Sequence, residues 1–490
     1  MLASAASVLA SNGSAPIAIG ARAAGRGGAD TAIADDALDA VMLNPAGLMR
    51  LGRFHADLQD MVVYSRDRFR NSLNDTSDSD FSWLAPGFGV AIDPRWGEAA
   101  ETPIQIGFAV AGTNGTSGRT RAVTSVYPDG ETEQLDFALV RVGPAIALEP
   151  IPGLRAGFGL FYNYLSFDTR SATTSASGNA NGRVRTYHNP DGSTNNPPTD
   201  FLVNGQAVTW NDIFNISSSP DSNSAALYHL DVASAHGFSF NLGLQFDPLE
   251  WLSLGLSYTS QTFFFTHLRG KAEIDASSSI SAIQSDPQVQ SVIGPVLNAY
   301  LPSGSAANFR AKYDYDLDGI PAPQMVSLGA AFFPHPRITL ALDGRWYNYS
   351  AVYSTLHAKL TGGDNPDINE INGSNEIRSS VVEDWKDVFT VGGGISASPV
   401  DGLVLRCGYE FATDPLPHDK LSPGTTPFLQ HHVTFGLGVS PIERLEINAA
   451  LVWALPREIH QDTNVSNKDF SNANLSAEQV FLYLGASFDF

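Results

Sequence analysis

The stretch VFLYLGASFDF, Val480–Phe490, alternates. Counting back in twos from Phe490 gives Phe488, Ala486, Leu484, Leu482 and Val480, all apolar. The other register holds Asp489, Ser487, Gly485, Tyr483, Phe481 and Gln479, which is mostly polar or small. A period of two is a β-strand with one greasy face and one wetter face. A sandwich strand in water and a strand in a membrane barrel both satisfy it, so its neighbours must decide.

The same pattern recurs up the chain. Phe238 to Phe246, Leu252 to Tyr258, Val326 to Phe332, Ile338 to Leu342, Leu403 to Phe411, Val433 to Val439 and Leu445 to Leu455 each put apolar side chains on alternate positions. Less regular runs lie near 52–66, 83–92, 102–113, 135–149, 154–167 and 386–398. The count is about fourteen strands of about ten residues, the length a tilted bilayer crossing needs, against about five or six for a strand in water. An even number suits a barrel with both ends on one side. The connections alternate strictly. Short ones at 92–101, 149–153, 247–250, 334–336, 399–402 and 440–443 are interleaved with long ones at 67–82, 114–134, 168–236, 264–321, 350–385, 412–427 and 457–478. A sandwich has no reason to gather its long loops at one end. An outer-membrane barrel does, and closure removes the edges that lipid cannot satisfy. Trp251 at a short turn, and Trp346, Trp385 and Trp453 beside long loops, read as two aromatic belts.

Composition agrees. Charged residues are 16% against about 25% in ordinary soluble domains. No run of about 18 apolar residues offers a transmembrane helix. A net charge of −22 argues against nucleic acid as a partner. Much of the acid sits in loop stretches such as NSLNDTSDSD (71–80), a solvated face or a place where divalent ions bridge to anionic lipid head groups. The single cysteine, Cys407, allows no intrachain disulfide and falls on the apolar register of its strand. MLASAASVLASNGSAP lacks the basic start and apolar core of a complete export signal, and reads as the tail of one.

Residues 1–50 do not fit the barrel. They are Ala/Gly-rich without alternation, and Asn44-Pro45 signals a turn. A lumen of about fourteen strands stays open unless something fills it, and small residues suit a compact plug. GADTAIADDALDAVMLNPAGL (28–48), with its Ala34-Asp35-Asp36-Ala37 and Asn44-Pro45-Ala46-Gly47-Leu48, resembles the N-terminal hatch of the FadL/TodX family of outer-membrane transporters for long-chain fatty acids and other hydrophobic compounds. IPAPQMVSLGAAFF (320–333), WKDVFTVGGG (385–394) and LRCGYEFATDPLPHDKLSPGTTPFLQHHVTFGLG (405–438) resemble later parts of that family. The resemblance implies an all-β fold: a transmembrane antiparallel barrel of about fourteen strands (51–490) plugged by a hatch (1–50). It implies no cofactor, no enzyme activity and a monomer. A hydrophobic ligand is captured among the extracellular loops and passed to a lumen site. The hatch then rearranges and the ligand leaves sideways where the third strand is kinked. Outer-membrane lipid and lipopolysaccharide are the implied surroundings, and the terminal Phe490 resembles the aromatic residue that barrel assembly machinery recognises.

Carried onto residues, the resemblance gives Asn44, Pro45, Ala46, Asp35 and Asp36 a hatch role; as plain chemistry they form a turn into the first strand. The third strand, TPIQIGFAVAGTNG (102–115), places the lateral gap near Val110, Gly112 and Gly115; the two glycines permit a bulge or kink there and equally suit an ordinary strand end. In QVQSVIGPVLNAYL (288–301), Val289, Val292, Ile293, Val296 and Leu297 fall at helical spacing. Their apolar face is either a capture surface or packed under neighbouring loops. The polar RVRTYHNPDGSTNNPPTDF (183–201) does not look like a hydrophobic groove. Arg141, Arg155, Arg345 and Arg406 lie on polar registers, so each pairs either with a ligand carboxylate or with a carboxylate of the protein. Asp314, Asp316 and Asp318 resemble half a calcium loop, but the twelfth position is Met325 where a bidentate Glu is needed. No short catalytic signature is present. Three rivals stay open: a diffusion porin, a lipid-acting barrel enzyme with a rim histidine, and an adhesin using its acidic loops.

Overall fold

The computed structural model describes residues 12–83, 86–94, 104–125, 127–173, 180–189, 191–216, 226–305, 308–423, 429–465 and 467–490. Fourteen antiparallel strands close on themselves. In chain order they are β1 (Phe54–Arg70), β2 (Asp75–Trp83, resuming as Gly87–Ile92), β3 (Ile104–Ala122), β4 (Glu131–Ile151), β5 (Leu154–Thr173) and β6 (Ala226–Leu249). Then come β7 (Leu252–Thr259 and Leu268–Asp275), β8 (Arg310–Leu317 and Met325–His335), β9 (Ile338–Tyr347 and Thr355–Thr361) and β10 (Ile377–Val382 and Val388–Val400). The last four are β11 (Leu403–Ala412), β12 (His431–Ile442), β13 (Leu445–Gln461) and β14 (Ala473–Asp489). Closure is made by β1 against β14, from His55↔Asp489 to Arg70↔Asn474.

The alternation of the opening stretch now has its faces. Leu482, Leu484 and Phe488 point outward, while Phe481 and Tyr483 are fully buried inside. Outward Phe108, Phe158, Leu242, Leu256, Leu342, Phe435 and Leu451 continue an exposed apolar band around the wall. Tight turns hold the other end, with Gly153 at φ +82° and Gly402 at φ +77° where a side chain would be strained.

Two expectations are corrected. Strands run well past ten residues, up to 24 in β6, because β6 to β10 continue as a two-faced sheet above the apolar band. That sheet and the long loops enclose their own apolar core, including Trp210, Ile280, Leu301, Phe309, Tyr313 and Ile368. Trp385 is not a membrane anchor: it packs in this upper region against Tyr353, ring centroids 4.7 Å apart. Trp251 and Trp453 are exposed on the outer surface, as a belt requires.

Residues 12–50 are buried, apart from half-buried Ile19, Asp35, Met49 and Arg50. They form helix α1 (Ala21–Gly25), helix α2 (Ala37–Met42) and a 3-10 turn (Pro45–Arg50). Asp36 caps α2 by accepting from the Asp39 amide at 2.7 Å. Asn44 caps the 3-10 turn, with proline at the first position, where its missing N–H costs nothing. Backbone meets backbone through glycines of the wall. A Cβ at Gly157 would lie 2.4 Å from the Pro45 carbonyl carbon, and one at Gly255 2.3 Å from the Thr31 carbonyl oxygen. Gly89, Gly243, Gly392, Gly408 and Gly436 leave room for the same segment on other sides.

Candidate functional site

The third strand carries a defect with consequences. Among the described residues, its ladder to β2 runs from Phe88↔Val110 to Ile92↔Ile106. On its other side the pairing to β4 slips by one residue between Gly112 and Asn114. Thr113 is therefore an extra residue, a bulge that re-aims side chains and bends the strand. Both Thr113 and Asn114 are buried as a result. The Gly115 amide, turned from the regular ladder, donates to the Ser14 carbonyl at 3.1 Å, and Asn114 Nδ2 donates to Ser14 Oγ at 2.9 Å. So Val110, Gly112 and Gly115 lie on either side of this bulge, and the N-terminal segment is bonded to it from inside.

A cavity of about 80 Å³ lies against this bulge. Pro16, Ile19, Met42, Leu43, Met325 and Tyr347 give it apolar walls, and Thr113, Asn114, Asp39, Arg141 and Arg345 give it polar ones. The two arginines differ. Arg345 is engaged: Nη1 donates to the Ile17 carbonyl at 2.9 Å, Nη2 to the Gly28 carbonyl, and Asp343 lies 3.4 Å away. Arg141 on β4 is 6% exposed, its Nε has no hydrogen-bond partner, and no carboxylate among the described residues offsets its burial. A buried guanidinium nitrogen without a partner is costly.

The other two arginines are structural in their contacts. Arg155 pairs with Asp247 at 2.8 Å beside Arg50, which holds the same carboxylate at 2.6 Å. Arg406 pairs with Glu446 at 3.1 Å and donates to Asn448 at 3.0 Å.

Residues 2–479 match the model of the family described as outer membrane protein transport protein (OMPP1/FadL/TodX). The chain belongs to that family. The solved structures it resembles include the P. putida toluene transporter TodX (TM-score 0.65, 16% identity, 96% of this chain and 99% of that one). They also include the Ralstonia pickettii toluene transporter TbuX (0.62, 15%, 96% and 98%) and a Pseudomonas aeruginosa FadL homologue (0.64, 15%, 96% and 98%). At these identities the likeness carries the fold. No curated protein matches the chain by sequence. As a member of the OMPP1/FadL/TodX family it is a transport protein of the outer membrane of Gram-negative bacteria, and not an enzyme.

In this family member the hatch-motif residues sit away from the cavity, at the wall. Asn44 Nδ2 donates to the Thr31 carbonyl at 2.7 Å and the Leu244 carbonyl at 3.3 Å, while Pro45 and Ala46 rest on Gly157. Asp35 takes both terminal nitrogens of Arg26, at 2.8 and 2.9 Å. In the loop helix (Pro287–Ile293) and the 3-10 turn after it, Val289 and Leu297 are buried in the upper apolar core, which is the covered alternative for that face. The side chains of Val292, Ile293 and Val296 lie outside the described ones. Asp314 and Asp316 bond to Lys271 and Arg269 across the sheet. His432 is fully buried beside Glu410 rather than at the rim.

Sequence reasoning missed Thr113, Asn114 and Asp343. Asp343 accepts from the Asp30 and Thr31 amides, both at 2.9 Å. Gly112 and Gly115 permit a bulge, but nothing in Thr-Asn-Gly picks Thr113 as the extra residue. The wall glycines did carry a signal: they recur on the inward register of many strands, which marks close approach by another backbone.

Proposed function

We propose that this transporter takes up hydrophobic molecules that carry an anionic head group, long-chain carboxylates being the fitting class. The observation that carries this reading is Arg141, a buried cation whose Nε has no hydrogen-bond partner among the described residues, in the wall of the cavity at the β3 bulge. A carboxylate beside it would supply the charge-assisted hydrogen bonds that the protein does not. The apolar walls of the cavity suit the start of a chain. In this reading residues 1–50 act as a hatch, Asn44, Pro45 and Ala46 brace it on the wall, and 51–490 form the barrel. The ligand reaches the lumen from the extracellular loops and leaves sideways between β2 and β3, where the ladder among the described residues ends at Val110. Uptake is passive, the chain works as a monomer, and the path avoids the polar lipopolysaccharide layer. Phe490, whose ring meets Phe54 at 5.6 Å and Arg444 at 5.4 Å, is the residue for assembly machinery to read.

The toluene transporters favour a second reading, a neutral hydrocarbon, which the apolar part of the cavity would accept. Uptake of radiolabelled oleate and toluene by cells lacking their own transporter separates the two. The expected result is faster oleate entry with the protein, lost in Arg141→Gln by roughly tenfold, the worth of one charge-assisted contact. Faster toluene entry, unchanged in Arg141→Gln, replaces the carboxylate reading with the hydrocarbon one. Entry of neither, with the barrel folded in the membrane, overturns both.

A further inference from the structure

Above the apolar band, the sheet of β7 to β10 turns one face inward to the upper core, burying Leu268, Leu317, Leu360 and Ile377. The opposite face looks out from the barrel. Its lowest complete row runs straight across four strands: Arg269↔Asp316, Asp316↔Lys359 and Lys359↔Arg378. Three steps of about 4.8 Å make this row roughly 14 Å wide.

Two features of the row are unusual. Lys359 and Arg378 are direct cross-strand neighbours of like charge, an arrangement that is destabilising in itself. Both lean on one acid, Glu376, at 3.1 and 2.6 Å. The cations also stand farther out than their partners. Arg269 and Arg378 side chains are 71% and 77% exposed, against 33% for Asp316 and 29% for Glu376. In a chain of net charge −22, this row presents cation tips with the acids tucked beneath them. Just below, on the same side of β7, Phe265 is 62% exposed and the Phe263 ring lies tilted against Phe238, centroids 5.3 Å apart.

We propose that this row is a binding site for lipopolysaccharide, with Arg269, Lys359 and Arg378 taking the phosphates of its bisphosphorylated glucosamine head. The aromatic shelf beneath meets the acyl chains. Charge complementarity selects the occupant: an anion between Lys359 and Arg378 relieves their repulsion, and the outer leaflet surrounds this face with phosphorylated sugar. Arg suits phosphate through its planar fork of donors. The exposed tips form the contacts without breaking the ion pairs below them.

The test uses the full chain in detergent micelles, titrated with bisphosphorylated lipid A and with the same lipid stripped of phosphate. The parent is expected to bind the phosphorylated form more tightly, and Arg269→Gln/Lys359→Gln/Arg378→Gln to lose that preference by about tenfold or more. Arg337→Gln, in a short turn at the opposite end, is expected to bind like the parent. Folding is checked by heat-dependent electrophoretic mobility. Should the triple variant not fold, Arg378→Gln and Lys359→Gln are read singly, each weakening binding by about threefold. Equal binding of both lipids by the parent, or binding by folded variants that matches the parent, overturns the proposal. Oleate entry is a separate readout, so neither result bears on the transport reading.

Discussion

Gly157 and Gly344 show how much one hydrogen atom decides. Gly157 faces the Pro45 carbonyl carbon closely enough that a Cβ would lie 2.4 Å from it, while at Gly344 the nearest atom would be 3.9 Å away. Gly157→Val therefore pushes the Pro45 turn off the wall at a cost of about 1–3 kcal/mol, and Gly344→Ala does nothing comparable. Protease cutting within residues 12–50 of the folded barrel should rise in the first variant and stay low in the second; equal cutting would refute the close fit. Glu383, between the two parts of β10, is a different kind of residue effect. Burial raises its carboxyl to about 7 from 4.5, against the pull of the Trp385 side chain and Lys420. As pH rises past 4.5 the unfolded carboxyl ionises first while the folded one keeps its proton. Stability of the upper region is therefore lost between about pH 4.5 and pH 7, and is level above that. The loss is of order 3 kcal/mol, and Glu383→Gln abolishes it. Urea titrations of the two proteins at pH 5 and pH 8 check this: the parent midpoint must drop with pH while the variant's does not.

Strands were the legible elements, and the reason is physical. Lipid outside and a filled lumen inside impose opposite demands on successive side chains, so Leu482/Tyr483 or Phe435/Gly436 announce themselves by period two. Where the outer medium changes from lipid to water, the period survives but its meaning changes. Lys271, Asp314 and Lys312 alternate with Ala272, Tyr313 and Ala311 as strictly as any membrane strand, yet they belong to the sheet above it. The candidate site was legible only in outline. Arg141 can be placed on an inward register, but what surrounds it there, from Asp39 to Arg345, depends on contacts between distant parts of the chain. Gly112 and Gly115 point to a bulge or kink in this strand, but its place at Thr113 is not readable, because pairing rather than composition sets it. Its role can be tested at this scale. Before the bulge the inward residues are Ala109, Ala111 and Thr113; after it they are Asn114, Gly118 and Thr120. Deleting Thr113 regularises the ladder to β4 and leaves every other side chain on its own face. The barrel should fold, the bend should relax, and oleate entry should fall about tenfold if the bend opens the side exit. Entry at the parent rate in a folded deletion variant would remove the bulge from the path.

At the scale of the whole molecule, the wall and the N-terminal segment are separable in their bonding. The wall closes through β1 and β14, and its ladders satisfy most of its backbone without residues 12–50, the Gly115 amide on the Ser14 carbonyl being an exception. The segment depends on the wall far more: glycine contacts, Asp343, Arg345 and Thr434 hold its backbone at several heights. Those wall groups lose their partners if the segment is removed, but the emptied lumen admits water, which replaces them. A deletion of residues 1–48 should consequently give a folded barrel of lower stability, still heat-modifiable on a gel. It should also be an open one, since about fourteen strands enclose an aqueous channel when nothing fills it. Single-channel recordings in a planar bilayer make the comparison: the parent closed or nearly so, the deletion variant steadily conducting. With the bond from Gly115 to Ser14 gone and the cavity merged into the pore, Arg141 faces water, and oleate should lose its advantage over any solute of similar size. A deletion variant that conducts no more than the parent would mean that the segment does not seal the lumen. A conducting variant that still prefers oleate would move the selective step out to the loops above the membrane.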